Sequence, residues 1–406
     1  MEFDAARGVL PAGFTFSRGG TATYFDRTGA LQEAAANAPR FNYDPVTLAF
    51  KGLLVEEPRT NSIPNPRAEG ASAGAPGTIA TGWGAYFSGG LSLQCTGVGT
   101  EYGMRYTDLR FYGTSTATSE NTIYFNNAVA IAAAQNQIWT GSVYARQSAG
   151  TTNNMAVNLR LFELNSVGAY LGESGVAMTP TLGTFQRYVA TRTLSNATAA
   201  QVSVQISVFA SGIGVAVDFT IRVYHPQLEQ GAFATSPILP PAGTPGASSR
   251  AADDVNCPTG GWFNPSEGTI IAEGDFYSLR DGNYYSRLWA LRSSNSDYIT
   301  SSANYGFSAM NVTVSGVSQA ALPHYVTPSY YPASVKTGAA WRQNDFSFAR
   351  GGGSLLTSGA GTIPTVNVLY LGKCETGDAW YLGGHIRRFA YYPKRLTNAQ
   401  LLALTQ

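Results

Sequence analysis

Charge is scarce in this chain. Of 406 residues only 13% are Asp, Glu, Lys or Arg, about half the usual ~25% share. Neutral polar side chains and backbone must therefore cover the surface. The 26 basic and 25 acidic residues nearly cancel, which leaves no electrostatic footprint for nucleic acid or anionic lipid. Lysine is rarer still: Lys51, Lys336, Lys373 and Lys394 are the only four, and arginine's planar fork suits fixed hydrogen bonding better than a solvated ammonium does. Three widely spaced cysteines (Cys95, Cys257, Cys374) and three histidines exclude a disulfide framework and a zinc site. No run of 18 apolar residues exists to span a bilayer. The opening "MEFDAARGVLPAGFTFS" has early charges and lacks the apolar core of a signal peptide.

Enzyme signatures are missing too. There is no Gly-x-Ser-x-Gly elbow, His-Glu-x-x-His, phosphate loop or dinucleotide fingerprint. A glycosidase needs only two carboxylates at a suitable separation, so sequence leaves that class open. The pair Glu56–Glu57 fits it poorly, because neighbours on a strand point to opposite faces. A charged hinge, with one glutamate paired to Arg59, suits the Pro-rich stretch "EEPRTNSIPNPR" better.

What is present is alternation. "AQVSVQISVF" sets Val202, Val204, Ile206 and Val208 against Gln201, Ser203, Gln205 and Ser207. "MAVNLRLFEL" sets Val157, Leu159 and Leu161 against Asn158, Arg160 and Glu163. Further β-type runs recur between Gly, Pro, Asn and Ser. The chain reads as all-β: a short N-terminal segment followed by two antiparallel β-sandwich, jelly-roll-like domains. The segment covers residues 1–60, the first sandwich 61–235, a Pro/Gly/Ser-rich linker 236–254 and the second sandwich 255–406. "NNAVAIAAAQNQ" is a short helix or a loop. "RLTNAQLLALT" is a terminal helix with Thr397 as N-cap and Gln400 three residues on. Its stripe of Leu396, Leu401, Leu402 and Leu404 suits a cap over the open end of a sandwich.

Flat rings and planar hydrogen bonders are the chemistry of sugar recognition, and the chain holds 23 Tyr and 6 Trp. Most rings belong in the cores, Trp139 and Trp289 among them. Loop-like sequence sets others apart: Trp83 and Tyr86 in "TGWGAYFSGG"; Tyr102, Arg105, Tyr106 and Tyr112, with Asp108 and Arg110, in "GTEYGMRYTDLRFYG"; Asn283, Tyr284 and Tyr285, after Asp281, in "RDGNYYSR"; and Asp378, Trp380 and Tyr381 in "ETGDAWYLGG". These are the candidate carbohydrate-binding residues, with a structural role the alternative for each.

The stretch "FTFSRGGTATYFDRTGALQEAAANAPRFNYDPVTLAFKGLLVEEPRTN" resembles an N-terminal signature of phage and prophage fibre proteins. "IPNPRAEGA", "WTGSVYARQSAG", "LGTFQRYVATRTL" and "VYHPQLEQGAFATSP" are similar to a carbohydrate-binding jelly roll. "GGHIRRFAYYPKRLTNAQLLALT" resembles the closing strand and helix of concanavalin-like, laminin-G-type sandwiches. Together these resemble head-spike or tail-fibre adhesins of phages and gene transfer agents. The resemblance implies a non-enzymatic receptor-binding protein on the particle surface, made in the bacterial cytoplasm, that binds capsular polysaccharide. Residues 1–60 would attach it to a capsid or another fibre protein, and homo-oligomers are common in such fibres. A depolymerase tailspike and a purely structural decoration protein are the alternatives. No cofactor is required. In similar jelly rolls a structural Ca²⁺ joins the first and last strands, which here would use Glu69 and Asp218; plain surface carboxylates are the other reading. The second sandwich shows no acidic calcium pair.

Overall fold

Period-two patterning dictates the first core. The odd–even split of Gln201–Ala210 and Met155–Leu164 buries Val202, Val204, Ile206, Val208, Val157, Leu159 and Leu161 completely or nearly so. The computed structural model describes residues 1–126, 130–277, 286–304, 307–325, 334–353, 355–374 and 381–406. Among these, one sheet runs in the order Tyr170–Met178, Met155–Leu164, Gln201–Ala210, Asn121–Tyr124, Gly84–Tyr86, with Ile131–Ala132 also paired to Gln201–Ala210. A second sheet, ordered Gln186–Thr193, Ile138–Thr151, Ala216–Gln230, Met104–Thr114, Leu91–Glu101, faces it. It contributes Leu109, Phe111, Val143, Phe219 and Ile221 to the same core. Strand pairing is antiparallel throughout. In the described part of "NNAVAIAAAQNQ" the loop reading holds, with the two-residue strand Ile131–Ala132 inside it.

The second sandwich repeats the logic with larger residues. Trp289 and Trp341 lie 6.3 Å apart, centroid to centroid, in a core drawn from both of its sheets. The terminal helix is Asn398–Leu404, and Thr397 and Gln400 form the reciprocal capping box. Leu401 is fully buried, with Leu402 and Leu404 partly so, against Ile271, Ala340 and Ala349. Those three alternate with the core residues of their strands. The helix therefore covers the outer face of a sheet, and the expectation of a cap over the open end is corrected.

The N-terminal residues are the larger correction. Glu2–Asp4 pairs with Gly384–Tyr392, and Phe50–Val55 pairs with the same strand on one side and with Phe41–Tyr43 on the other. Thr15–Ser17 joins the opposite sheet through Asp254–Pro258. Phe3, Leu53 and Val55 are core residues of the second sandwich. In between, the hairpin Ala22–Phe25/Leu31–Ala34 packs on the first sandwich: Phe25 and Leu31 lie among Met104, Tyr144, Phe185 and Tyr224. The Leu31 amide donates to the Tyr102 carbonyl at 2.7 Å. That approach requires a glycine at 103, which has φ +69° and where an added Cβ would collide with the Leu31 carbonyl. Residues 1–60 are thus not a unit separate from the sandwiches. Their apolar side chains complete one sandwich and bind the other.

The residues expected to be a linker are also built in. Ser248–Arg250 pairs with Arg59–Asn61. Arg18, Arg40, Glu56, Arg250 and Asp253 form a cluster in which none is more than 2% exposed. Arg40 contacts Glu56 at 2.8 Å and Asp253 at 2.5 Å, Arg18 contacts Asp253 at 3.1 Å, and Arg250 reaches Glu56 at 3.1 Å. Burial pushes the Glu56 pKa up, but Arg250 and Arg40 outweigh it and hold the group at about 2. Of the two glutamates, Glu57 is the hinge partner of Arg59, at 2.5 Å.

Candidate functional site

Directly opposite residues on antiparallel strands share a face, so the register names the outer face of the first sandwich's groove-bearing sheet. One row across it is Tyr86, Thr122, Ser207, Asn158. The next is Tyr124, Gln205, Arg160, and a third is Ser203, Phe162, Glu173. Gln201, Leu164 and Tyr170 follow. A groove of about 590 Å³ lies over the last three rows. Its apolar walls are Phe162 and Tyr170, ring centroids 5.7 Å apart and inclined at 64°. Tyr170 is 59% exposed. Its polar floor is Gln201, Ser203 and Gln205, with Glu120 and Tyr124 alongside.

The floor is ordered by its own hydrogen bonds. Glu120 accepts from Arg160 Nη1 at 2.8 Å, Gln205 Nε2 at 3.1 Å and Ser207 Oγ at 2.5 Å. Arg160 also pairs with Glu173 and lies over the Phe162 and Phe209 rings. The second Glu173 oxygen is buried without a hydrogen-bond partner. Burial, then the Glu120 charge, raises the Tyr124 phenol above its usual range, so it stays a neutral donor. Rings beside fixed amides and hydroxyls supply the two contacts a pyranose needs, an apolar face and in-plane hydrogen bonds.

The expected residues scatter around this site. Tyr86 lies on the same outer face and is 58% exposed. Trp83 does not: it is 5% exposed, packs edge-on against Phe125 at 4.9 Å and donates Nε1–H to the Asn65 carbonyl. Its polar edge is satisfied inside the core; Trp139, also buried, donates Nε1–H to Gln137 Oε1 at 3.0 Å, and Trp289 is buried with its Nε1 unpartnered. Tyr102 stacks on Phe185 at 4.9 Å under the N-terminal hairpin. Tyr106 is covered by the Arg222 guanidinium at 3.5 Å, and Tyr112 by Arg110 at 4.9 Å. Arg105 is exposed at the start of its strand. On this opposite sheet Glu101, Asp108, Arg146 and Arg222 form an ion-pair network with one another. Tyr381 is 7% exposed. Asn283, Tyr284, Tyr285, Asp378 and Trp380, with Asp281, lie outside the described residues.

The calcium expectation does not fit. Both Asp218 oxygens sit in the Arg110 fork at 2.7 Å, a cation where the ion would go. Glu69 accepts from the Gly243 amide. Among the described residues no three His, Cys, Asp or Glu side chains gather to hold a metal.

Phe162, Tyr170 and Glu120 escaped the sequence reading. The signal was there: Phe162 interrupts the polar phase of "MAVNLRLFEL", where an outward-facing ring has no core to fill. Charge alone places Glu163 on that polar face. It instead follows the odd phase, is fully buried, and is held by Arg192 at 2.5 Å.

A second cavity, about 450 Å³, lies in the seam between the two sandwiches and the N-terminal residues. Tyr277 and Asn42 line it, and both reach the buried His385 behind them. His385 Nδ1 is 2.7 Å from Asp275 Oδ1. A carboxylate there fixes the proton on Nδ1, and the single lone pair of Nε2 faces both the Tyr277 hydroxyl and the Asn42 amide, each at 2.9 Å. Burial, reinforced by the Asp275 charge, lifts the Tyr277 phenol well above its ordinary range.

No protein-family model and no curated protein matches the chain. Solved structures that share partial likeness include the arabinose-bound α-L-arabinofuranosidase MgGH51 (TM-score 0.32, 12% identity, 47% of this chain and 29% of that one). The CBM22-1 xylan-binding domain of Paenibacillus barcinonensis Xyn10C gives TM-score 0.27 at 14% identity, over 45% of this chain and 98% of the domain. Domains LG4-5 of the mouse laminin α1 chain give 0.27 at 9% identity, over 65% and 84%. The chain thus spans under a third of the arabinofuranosidase. TM-scores this low assign neither fold nor activity; the all-β sandwich architecture rests on the strand pairing itself. No helix among the described residues is long and apolar enough to cross a membrane.

Proposed function

We propose that the protein is a polysaccharide-binding adhesin whose groove on the first sandwich holds the glycan. One observation carries this reading: the exposed Tyr170 and the Phe162 ring stand beside a row of fixed amides and hydroxyls on one groove. Hydrogen bonds from neutral groups together with one or two ring contacts give modest affinity per site, which many copies on a particle would multiply. On the sequence resemblance, that particle is a phage or gene transfer agent and the receptor a capsular polysaccharide. Purified protein should then bind encapsulated cells and leave acapsular cells unbound. Tyr170→Ala, and separately Phe162→Ala, should each weaken binding about tenfold, roughly 1.4 kcal/mol. Equal binding to both cell types, or full binding by both variants, refutes the assignment.

A second reading, a depolymerase, draws on the Tyr277–His385–Asp275 relay at the seam cavity. A phenol hydrogen-bonded to a carboxylate-oriented imidazole is the arrangement of a proton-transfer group. New reducing ends or unsaturated sugar termini after incubation with capsule would establish that reading in place of the first.

A further inference from the structure

We propose that the seam cavity is a second, separate binding site, specific for a carboxylate-bearing ligand such as a uronic acid unit of an acidic polysaccharide. Its walls are aromatic: Tyr24, Tyr43, Tyr144 and Tyr277 all line it. At about 450 Å³ it falls within the ~300–1,000 Å³ in which proteins hold small molecules. What distinguishes it from the groove is charge. Most acidic groups around it have a cation of their own; the buried Glu229 is held instead by the Thr235 amide and hydroxyl and the Gln227 amide. Glu56 has Arg40 and Arg250, Asp275 has Arg387, and Asp44 has Lys51 at 3.8 Å. Arg187 is different. It lines the cavity and lies over the Tyr144 ring at 5.1 Å. It donates only to neutral oxygens, Thr235 O at 2.6 Å and Ser142 Oγ at 2.9 Å, and its Nε is buried without a partner. Among the described residues no carboxylate lies within ion-pair distance of it.

Arg187 is partly buried, and it lacks the counter-ion that the cations of the junction cluster have. A partly desolvated cation lacking a counter-ion costs the free protein some stability, and a carboxylate arriving in the cavity offsets that cost. Lys51, tied to Asp44 only at 3.8 Å, is a second cation at the same cavity. The groove has the reverse character: Arg160 there is shared between Glu120 and Glu173, which leaves a net negative charge. Acidic units are therefore directed to the seam and uncharged units to the groove.

The site is independent of the groove, and its test is separable. Sodium glucuronate and galacturonate, each against its uncharged methyl ester, would be titrated into the full chain and read by saturation-transfer NMR. The acids should bind and the esters bind at least tenfold more weakly, with the acid affinity falling as salt rises. Arg187→Gln should cost at least tenfold, Lys51→Met severalfold, and the groove variant Tyr170→Ala nothing. If Arg187→Gln misfolds, which a melting curve reports, Lys51→Met and the acid–ester ratio still decide. Equal affinity for acid and ester overturns the proposal, as does failure of either acid to bind at millimolar concentration. So does a loss in Tyr170→Ala that Lys51→Met does not share.

Discussion

Replacing Glu56 by glutamine removes one of the two carboxylates in the buried junction cluster and leaves its three arginines in place. The cluster's formal charge rises from +1, three guanidiniums against Glu56 and Asp253, to +2 with Asp253 alone. Side-chain volume hardly changes, so the effect is electrostatic. Taking one partner from a buried ion pair typically costs about 3–5 kcal/mol, because the remaining charge is left uncompensated. The acid–base shift gives an independent figure: a fall from 4.5 to about 2 corresponds to about 3 kcal/mol.

The sign of the pH dependence follows. In the unfolded chain Glu56 takes up a proton near 4.5, whereas the native group resists until about 2. Its stabilisation is complete above about pH 5 and is lost as pH falls toward 2. Chemical denaturation read by tryptophan fluorescence should thus find Glu56→Gln about 3 kcal/mol less stable at pH 7, with the gap nearly closed at pH 2. Differencing matters, because His225 also weakens the fold in acid. That ring is buried, burial and then Arg67 hold its pKa near 3, and it acts equally in both proteins. A deficit under about 1 kcal/mol at pH 7, or one that is the same at pH 7 and pH 2.5, would refute the assignment of Glu56 as the paired anion of this cluster.

His225 itself offers a second test. Neither of its ring nitrogens is hydrogen-bonded, so the unfolded chain gains a proton below about 6.5 that the native state refuses until about 3. His225→Leu should flatten the stability profile between those values, seen as acid melting curves that no longer shift. EDTA should leave the melting temperature unchanged, since Arg110 occupies Asp218; a drop restored by Ca²⁺ would contradict that. Deleting residues 1–56 should yield insoluble or protease-sensitive protein rather than two intact sandwiches, because three strands of one sheet and the cluster's Arg18, Arg40 and Glu56 go with them; a folded, soluble remnant would refute it.

The core was legible because alternation is a local signal. Each valine of "VSVQISV" reports its own face, and a two-residue period survives any topology. The capping box was legible for the same reason, since Thr397 and Gln400 are three residues apart. Partnership across the chain was not. Arg18 and Asp253 meet over 235 residues, and nothing near either announces the other. The composition of residues 236–254 therefore looked like a loose connector, although Asp253 and Arg250 are among the least exposed charges of the fold. The aromatics failed in a related way. Glycine-flanked rings such as Trp83 and Tyr102 read as loop platforms, yet Gly82 serves a positive φ and Gly103 a close approach to Leu31, while the ring at the groove, Phe162, lies in a strand whose pattern looks fully accounted for.

Burying the N-terminal residues in both sandwiches has a mechanical consequence. Two sandwiches joined by a flexible linker would present their sites in independent orientations, and a polymer bound at one would gain little at the other. Here the hairpin Ala22–Phe25/Leu31–Ala34 is held on the first sandwich, the flanking strands are held in the second, and the charge cluster lies between. Breaking that joint means separating paired buried charges, which is costly in a low-dielectric setting. The seam cavity is lined by exactly these parts: Tyr24 and Tyr43 from the N-terminal residues, Tyr144 and Arg187 from the first sandwich, Tyr277 from the second. A variant that loosens the cluster should therefore weaken acid binding at the seam before it affects the groove, whose walls and floor all come from one sandwich. Glu56→Gln, measured against both ligand classes, links the stability argument to the binding one.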